Sequence, residues 1–257
     1  MTDGAPQQAA IEWQNVVYRA PNGQTVLDGL SLAIDSGEIV AVLGRSGSGK
    51  TTLLRLLNLQ LQPTSGTVAV EGKALAKWDP LALRRQCGYV IQEGGLFPHL
   101  TCGKNVGILL RATGVPETKR NARIRELFSL VGLEPDKFIH RHPGDLSGGQ
   151  RQRLGVARAL SLDAPVLLMD EPFGALDPVT RAEMQQMLTK LLQDLSKTVV
   201  LVTHDLEEAR RIASRLVLLE HGKVAADLPP EEFGRCSIPA VREYREAFHG
   251  VIEEAAR

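Results

Sequence analysis

The stretch Gly44–Thr52 reads GRSGSGKTT and matches the phosphate-loop pattern G-x-x-x-x-G-K-[ST]. Glycines allow successive backbone N–H groups to converge on an anion, and the start of a following helix adds partial positive charge. Lys50 would reach the β- and γ-phosphates of a nucleotide, and the Thr51 hydroxyl would bind Mg²⁺. The residues expected to contact the nucleotide in this stretch are Gly44, Ser46, Gly47, Ser48, Gly49, Lys50, Thr51 and Thr52.

Two adjacent carboxylates, Asp170 and Glu171, follow the apolar run at residues 166–169. Ligands of open α/β sheets bind at the carboxyl ends of strands, so these side chains are placed for chemistry. Asp170 would hold Mg²⁺ through water, while Glu171 would orient and deprotonate the attacking water. The alternative is a solvated strand end, and the upstream phosphate loop argues against it.

The motif Leu146–Gln150, LSGGQ, precedes a helical pattern. Ser147 is a good N-cap, and the following glycines leave the helix start open to close approach by a ligand. Arg151 and Arg153 fall in the predicted first turn, where the helix dipole disfavours cations. We interpret this cost as a sign that the helix start receives an anion. A plain capped helix is the alternative.

The elements that carry these motifs alternate between short apolar runs and helical patterns, which indicates a parallel sheet wrapped by helices. Strands are predicted at residues 11–18, 30–34, 38–43, 67–70, 88–91, 166–169, 199–202 and 215–219. Helices are predicted at residues 51–59, 119–131, 151–160 and 240–254, and from Pro178, capped by Asp177, to about Ser196.

The chain changes character at three places, which suggests its domain organisation. Residues 1–10 are expected to form a disordered tail. Strand signals vanish over residues 93–145, where proline, glycine and helical periodicity predict a helical insertion in the α/β core. Residues 226–257 are expected to be a peripheral, helical C-terminal segment.

Composition limits the class of protein. The chain has 257 residues, 43% of them hydrophobic, so a large core can be buried. Its 30 basic and 30 acidic residues balance, which argues against nucleic-acid binding. No apolar run approaches the roughly 18 residues that cross a bilayer, and the N-terminus lacks signal-peptide features. The three cysteines lack C-x-x-C spacing, so we expect reduced thiols in a cytoplasmic protein.

Together with Gln92 and His204, these motifs have the order and spacing seen in ATP-binding cassette (ABC) ATPases, and the resemblance covers residues 11–225. It implies a P-loop NTPase cassette of the α/β class with a mostly parallel core sheet, an N-terminal antiparallel β subdomain and an inserted helical subdomain. It also implies a head-to-tail homodimer that sandwiches ATP between Lys50 of one molecule and the LSGGQ motif of the other.

The resemblance further implies roles for individual residues. Gln92 would touch Mg²⁺ and sense the γ-phosphate, His204 would clamp that phosphate, and Asp177 would communicate across the dimer. The catalytic set is then Glu171, His204, Gln92 and Lys50. Residues that contact the other molecule's ATP are Ser147, Gly148, Gly149, Gln150 and Asp177. The proposed metal ligands are Thr51, Gln92 and Asp170.

The chain departs from the family at the residue that stacks on adenine. Ala20 stands where an aromatic residue is usual, and Tyr18 lies two residues earlier. Residues two apart share a strand face, so Tyr18 is a candidate for stacking, against simple packing. Trp13 is a weaker candidate. The segment His140–His142 is a possible metal pair, but a solvated loop is the preferred interpretation.

The loop after Gln92 carries apolar side chains that would not all be buried locally, which is typical of protein contacts. These residues are Leu96, Phe97, Pro98 and Leu100. Tucked core packing is the alternative. The resemblance implies that this loop receives the membrane-spanning permease subunit, and that the chain therefore works at the cytoplasmic face of the membrane. A substrate-binding protein would be an indirect partner.

Within the family, the stretches at residues 88–101, 167–181 and 199–208 resemble ATPases of importers for quaternary ammonium osmoprotectants such as glycine betaine, carnitine and choline. Many of those ATPases carry a paired regulatory domain, which is not visible in this sequence. Lipid-trafficking ABC ATPases are the alternative within the family. A non-transport cassette ATPase of DNA repair or translation is the rival class, and a P-loop kinase or GTPase has no use for LSGGQ.

Overall fold

The structure is a computed structural model that describes residues 9–255, apart from the side chains of residue 93 and residues 249–255. The predicted tail at residues 1–10 therefore lies mostly outside the described residues. Residues 9 and 10 are part of a strand, and Ala10 is buried. Within the described range, no helix is both long and apolar enough to cross a membrane.

Ten strands and ten α-helices are described. The strands are β1 (Ala9–Arg19), β2 (Thr25–Asp35), β3 (Ile39–Leu43), β4 (Ser65–Val70), β5 (Lys73–Ala74), β6 (Cys87–Val90), β7 (Val166–Asp170), β8 (Thr198–Val202), β9 (Arg215–Glu220) and β10 (Lys223–Leu228). The helices are α1 (Lys50–Leu57), α2 (Pro80–Gln86), α3 (Cys102–Ala112), α4 (Glu117–Leu130), α5 (Pro135–Phe138), α6 (Gly148–Ala159), α7 (Pro178–Asp194), α8 (Leu206–Ile212), α9 (Pro230–Phe233) and α10 (Pro239–Ala255). Short 3₁₀ helices lie at Leu75–Lys77, Gln92–Gly95 and Pro143–Asp145.

The chain divides into two compact units, the first of which comprises residues 1–84 and 197–257. Its antiparallel sheet has the strand order β2-β1-β4-β5, and Trp13 of β1 faces Leu32 and Val68 in its two neighbours. A separate set of strands places β3 parallel to both β8 and β9, with Ala41 opposite Leu201 and Leu216. Strand β3 is buried along nearly its whole length, and it leads directly into the Gly44–Thr52 loop.

The second unit comprises residues 85–196. Strands β6 and β7 pair in parallel, with Val90 opposite Met169. The remaining elements are helices α3 to α7 and two of the 3₁₀ turns. Strand β7 is an apolar run whose last residue, Asp170, is half-buried. This unit therefore carries the carboxylate pair, Gln92 and the LSGGQ motif.

The α/β class is confirmed, and most elements lie within a few residues of the predicted ones. Strand β10 and helix α2 are absent from the sequence prediction. The segment of β10, KVAADL, contains alanines and an aspartate, which are weak strand formers. It is a strand because it pairs antiparallel with β9, an apolar neighbour that supplies the backbone partners. Tertiary pairing thus decides this element.

Candidate functional site

The phosphate loop lies between the buried strand β3 and the start of helix α1. Gly49, which precedes α1, has φ +105° and provides no side-chain cap. The backbone N–H groups at the start of α1 therefore need another hydrogen-bond partner. A Cβ at Gly49 would lie 2.7 Å from Leu27 Cδ2, so the position also requires glycine for space. Lys50 Nζ donates to the carbonyl oxygens of Gly44 at 2.7 Å and Arg45 at 3.1 Å. The ammonium group is thereby held over its own loop.

The Ser48 hydroxyl is an unusual feature of this loop. Ser48 is 7% exposed, and its Oγ has no hydrogen-bond partner among the described residues. A buried hydroxyl without a partner is costly, so a site that supplies one is expected. The Oγ lies beside Gly44, where a Cβ would approach it to 2.5 Å. A polar ligand bound in the loop would give this hydroxyl a hydrogen-bond partner.

His204 is an exposed residue just beyond strand β8, in the first unit. Its neighbours are tied down: Thr203 Oγ1 donates to Glu208 Oε2 at 2.6 Å, and Asp205 Oδ1 accepts from the backbone N–H groups of Glu207 and Glu208. The His204 carbonyl accepts a hydrogen bond from the Tyr244 hydroxyl at 2.7 Å. The imidazole therefore projects from a well-anchored backbone.

The candidates for adenine stacking separate clearly in β1. Trp13, the weaker candidate, is 1% exposed and packs inside the first unit, so its ring is not available to adenine. Tyr18 is half-buried and lies where the register of β1 and β2 is irregular on both sides of it. Across such a register shift, residues two apart need not share a strand face, so Tyr18 cannot be related to Ala20 in that way. Tyr18 stays a prediction.

Asp170 ends strand β7, and Glu171 follows it in a left-handed conformation with φ +46°. Such a backbone is strained for a residue with a side chain, and strain of this kind concentrates at functional sites. The Tyr89 hydroxyl, from the paired strand β6, donates to Asp170 Oδ2 at 3.3 Å. Sequence analysis does not identify Tyr89 as part of the site.

Gln92 and Glu171 come together around Gly174. A Cβ at Gly174 would lie 3.1 Å from Gln92 Nε2 and 3.5 Å from Glu171 Oε2. A larger residue at 174 would therefore displace either the amide or the carboxylate. The second unit thus groups two of the predicted catalytic side chains beside a position that favours glycine.

The LSGGQ motif forms a closed N-terminal cap on α6. Ser147 Oγ accepts from the Gln150 N–H at 3.3 Å, and Gln150 Oε1 accepts from the Ser147 N–H at 3.0 Å, which is a capping box. Gly149 is required by packing, because a Cβ there would lie 2.3 Å from Thr180 Cγ2 of α7. Gly148 has room for a side chain, with only ordinary contacts nearby.

The predicted first-turn placement of Arg151 and Arg153 is wrong. Helix α6 begins at Gly148, so both side chains lie beyond its first three positions. Arg151 Nη1 donates to the Leu146 carbonyl at 2.6 Å, and Arg153 Nη1 donates to the Val131 carbonyl at 3.2 Å. These bonds give both cations a structural role, and the interpretation of the helix start as an anion site stays a prediction.

Asp177 is the N-cap of α7, as predicted: its Oδ1 accepts from the Thr180 N–H at 3.0 Å. The hydrogen bond with the Thr180 side chain, followed by the one with its backbone N–H, lowers the pKa of the Asp177 carboxyl. Thr180 also contacts Gly149, as described above, so Asp177 and the LSGGQ helix share a neighbour. The carboxylate is exposed and ionised at neutral pH.

The loop at residues 96–100 is partly exposed. Phe97 is 41% exposed, whereas Leu96 and Leu100 are half-buried. The fully buried Asn105 organises this loop: its Oδ1 accepts from the Phe97 N–H at 2.8 Å, and its Nδ2 lies within 3.1 Å of the carbonyls of Phe97, Leu100 and Thr101. Sequence analysis does not identify Asn105.

The structure therefore assembles the predicted residues in two groups. The first unit holds the phosphate loop, Tyr18 and His204. The second unit holds Gln92, the carboxylate pair, the LSGGQ cap and Asp177. Tyr89, Asn105 and Tyr244 are additions that no local motif reveals. Tyr89 and Tyr244 act through partners distant in sequence, whereas Asn105 bonds backbone groups four to eight residues before it.

This fold, with its phosphate loop and LSGGQ helix, defines a nucleotide-binding cassette. The chain belongs to the ABC transporter family, and the model of that family matches residues 27–174. The fold resembles the dimeric, post-hydrolysis structure of the ATP-binding cassette MJ0796 bound to ADP and Pi. That similarity has a TM-score of 0.75 and 33% identity and covers 86% of this chain and 98% of the other.

Among curated relatives, the glycine betaine/carnitine/choline transport ATP-binding protein OpuCA of Bacillus subtilis is 43% identical over 88% of this chain and 58% of its own length. The glycine betaine uptake system ATP-binding protein YehX of Escherichia coli is 45% identical over 78% of this chain and 65% of its own length. The chain thus spans less than two thirds of these relatives. The resemblance to osmoprotectant ATPases is confirmed.

Proposed function

We propose that this chain binds Mg-ATP and hydrolyses it to ADP and phosphate as the motor subunit of an ABC transporter. The observation that carries the proposal is the Gly44–Thr52 loop at the uncapped start of α1, with Lys50 Nζ held over the loop and the Ser48 hydroxyl left for a polar ligand. Family membership makes ATP the nucleotide expected there.

In this proposal Lys50 neutralises the β- and γ-phosphates, and the backbone N–H groups of the loop bind the phosphate oxygens. Tyr18 stacks on the adenine. Thr51, Gln92 and Asp170 offer the oxygen ligands that Mg²⁺ prefers, and the metal when bound neutralises charge on the β- and γ-phosphates. The assignment of these ligands rests on their residue types and motif positions.

In this proposal, Glu171 is the base for hydrolysis. Its carboxylate accepts a proton from the water that attacks the γ-phosphorus, the bond from that phosphorus to the β,γ-bridging oxygen breaks, and ADP leaves. Gln92, which lies beside the same glycine as Glu171, senses the γ-phosphate. His204 holds the γ-phosphate as charge shifts during the reaction.

We further propose that two copies form a head-to-tail homodimer, in which Ser147 to Gln150 and Asp177 of one copy complete the ATP site of the other. The dimeric structure of the MJ0796 cassette supports the formation of a dimer. The capping box holds the Ser147 segment in one conformation, so the helix start of α6 is presented without a large ordering cost.

The transported solute is proposed to be a quaternary ammonium compound taken up by an importer, and the names of OpuCA and YehX support this class. The exposed Phe97 loop, braced by Asn105, would contact the membrane-spanning permease at the cytoplasmic face, with a substrate-binding protein as an indirect partner. The equal numbers of basic and acidic residues disfavour nucleic acid as a partner.

Phosphate release from Mg-ATP by the purified chain tests the enzymatic part. Wild-type protein should turn over ATP, and Glu171→Gln should lose on the order of 10²–10⁴ in rate while still binding ATP. Glu126→Gln, which alters an exposed glutamate on α4, is the matched control and should retain activity. Equal turnover by wild type and Glu171→Gln would refute the assigned chemistry.

Co-purification from membranes of its own source tests the partner. A multi-span membrane protein should be retained by the wild type, and Phe97→Asp should reduce its recovery because a charge replaces an exposed apolar contact. The captured complex, reconstituted in vesicles, should accumulate labelled glycine betaine in an ATP-dependent manner. Lipid movement without betaine uptake would favour the lipid-trafficking alternative.

A further inference from the structure

The C-terminal helix α10 reaches the backbone of His204. The Tyr244 hydroxyl donates to the His204 carbonyl oxygen at 2.7 Å, across 40 residues of sequence. Tyr244 is 8% exposed, so its ring is packed within the first unit and the hydroxyl has little freedom to move. This bond joins an element outside the recognised motifs to a residue that the proposed function places on the γ-phosphate.

The tie from Tyr244 completes an anchored segment around His204. On one side, Thr203 Oγ1 donates to Glu208 Oε2 and also accepts from the Asp205 N–H at 3.0 Å. On the other, Asp205 caps helix α8. These bonds stay within residues 203–208. The bond from Tyr244 links this segment to α10.

Tyr244 also lies near the phosphate loop. A cavity of about 200 Å³ is lined by Arg45 to Ser48, by the end of β9 and by Ala240 and Tyr244 of α10. The same side chain therefore faces the phosphate loop through the cavity and holds His204 through its hydroxyl. Both contacts lie within the first unit.

We propose that Tyr244 is a positioning residue for ATP hydrolysis, which acts by holding the His204 backbone so that the imidazole meets the γ-phosphate. This inference rests on the proposed function of His204. An anchored peptide plane restricts the directions in which its side chain projects, and catalysis is sensitive to displacements of about 1 Å. Tyr244 itself contacts no substrate in this role. Nucleotide binding by the Lys50 loop does not require it.

Tyr244→Phe tests the role, since it removes the hydroxyl and keeps the ring. We expect kcat to fall on the order of three- to tenfold, because the hydrogen bond that anchors the His204 carbonyl is lost, with KM for ATP changed less than twofold. Arg245→Gln is the matched control. Arg245 lies on the same helix as Tyr244, but its guanidinium donates to the Phe233 and Gly234 carbonyls and not to His204. It should keep wild-type kcat.

A double-mutant cycle with His204→Ala separates this inference from the proposed function. If Tyr244 acts through His204, Tyr244→Phe should have no further effect on kcat in the His204→Ala background. Equal losses in both backgrounds, or an unchanged kcat in Tyr244→Phe, would overturn the positioning role alone. Wild-type hydrolysis by His204→Ala would instead overturn the proposed role of His204.

Binding provides a second readout if His204→Ala turns over too slowly. In a Glu171→Gln background, calorimetry measures the affinities for Mg-ATP and for Mg-ADP. The ratio of the two affinities gives the preference for the γ-phosphate. Tyr244→Phe should reduce this preference about threefold or more and leave ADP affinity unchanged, because only the γ-phosphate contact depends on His204. An unchanged preference, or a parallel loss for both nucleotides, would contradict the positioning role.

Discussion

The guanidinium of Arg158 lies against the backbone of Gly95: Nη1 donates to the Gly95 carbonyl at 2.7 Å, and Nη2 donates to the Gly94 carbonyl at 2.9 Å. Arg158 is in the last turn of α6, the LSGGQ helix, and the glycines belong to the 3₁₀ turn that begins at Gln92. Burial lowers the pKa of Arg158 from its ordinary value, but the group stays charged. The LSGGQ helix is thus joined to the Gln92 turn.

Arg158→Met should destabilise the protein on the order of 2–4 kcal/mol, because two carbonyls lose a charged donor at a half-buried site. Chemical denaturation measures this loss as a lower midpoint. Arg125→Met is the control: Arg125 pairs with Asp136 at an exposed site, and such pairs contribute about 0–1 kcal/mol. Equal midpoints for the two variants would show that the link from Arg158 carries no stability.

Lys50→Ala should weaken ATP binding roughly tenfold or more, because the charge that faces the β- and γ-phosphates is lost. Arg55→Ala, at an exposed position on the same helix, removes a charge of the same sign and should bind ATP normally. Fluorescence titration with an ATP analogue measures both. Unchanged affinity in Lys50→Ala would remove the phosphate loop from the proposed site.

ATP should convert Glu171→Gln from one chain to two, and ADP should not, because the γ-phosphate joins the Lys50 loop to the other copy's Ser147 segment. Light scattering with each nucleotide measures the mass. Ser147→Arg in this background should block the shift, since it places a large cation at the exposed helix start.

Ser147→Arg also removes the cap bond to the Gln150 N–H, which costs about 1 kcal/mol. Ser147→Ala loses the same cap without the cation, so it reports the contribution of the cap alone. A Glu171→Gln protein that stays monomeric in saturating Mg-ATP would contradict a dimer that forms from this chain alone.

Cys102 should resist alkylation in the folded protein. Burial raises the pKa of its thiol from 9.0 to about 11, so the reactive thiolate is rare at pH 8. Above pH 9 the unfolded chain loses this proton first, so the contribution of Cys102 to stability declines between about pH 9 and 11. Mass spectrometry after iodoacetamide treatment should find Cys236, which is only half-buried, modified first. Labelling of Cys102 at the same rate would contradict the assigned burial.

The features that the sequence predicts well are those with local physical requirements. Gly49 is needed where φ is positive, Asp177 caps a helix that begins with proline, and Ser147 caps the LSGGQ helix. Each of these depends on residues within a few positions of one another. Their types and order therefore suffice to place the phosphate loop, the strand that precedes it and the LSGGQ helix.

Tertiary structure alone decides the features whose partners are distant backbone atoms. Arg158 and Tyr244 each bond carbonyl oxygens, which every residue carries, so no residue type marks the partner in the sequence. The same ambiguity applies to Arg151, whose guanidinium bonds the Leu146 carbonyl. Local pattern determined which residues could bind phosphate, whereas long-range packing determined which side chains hold them in place.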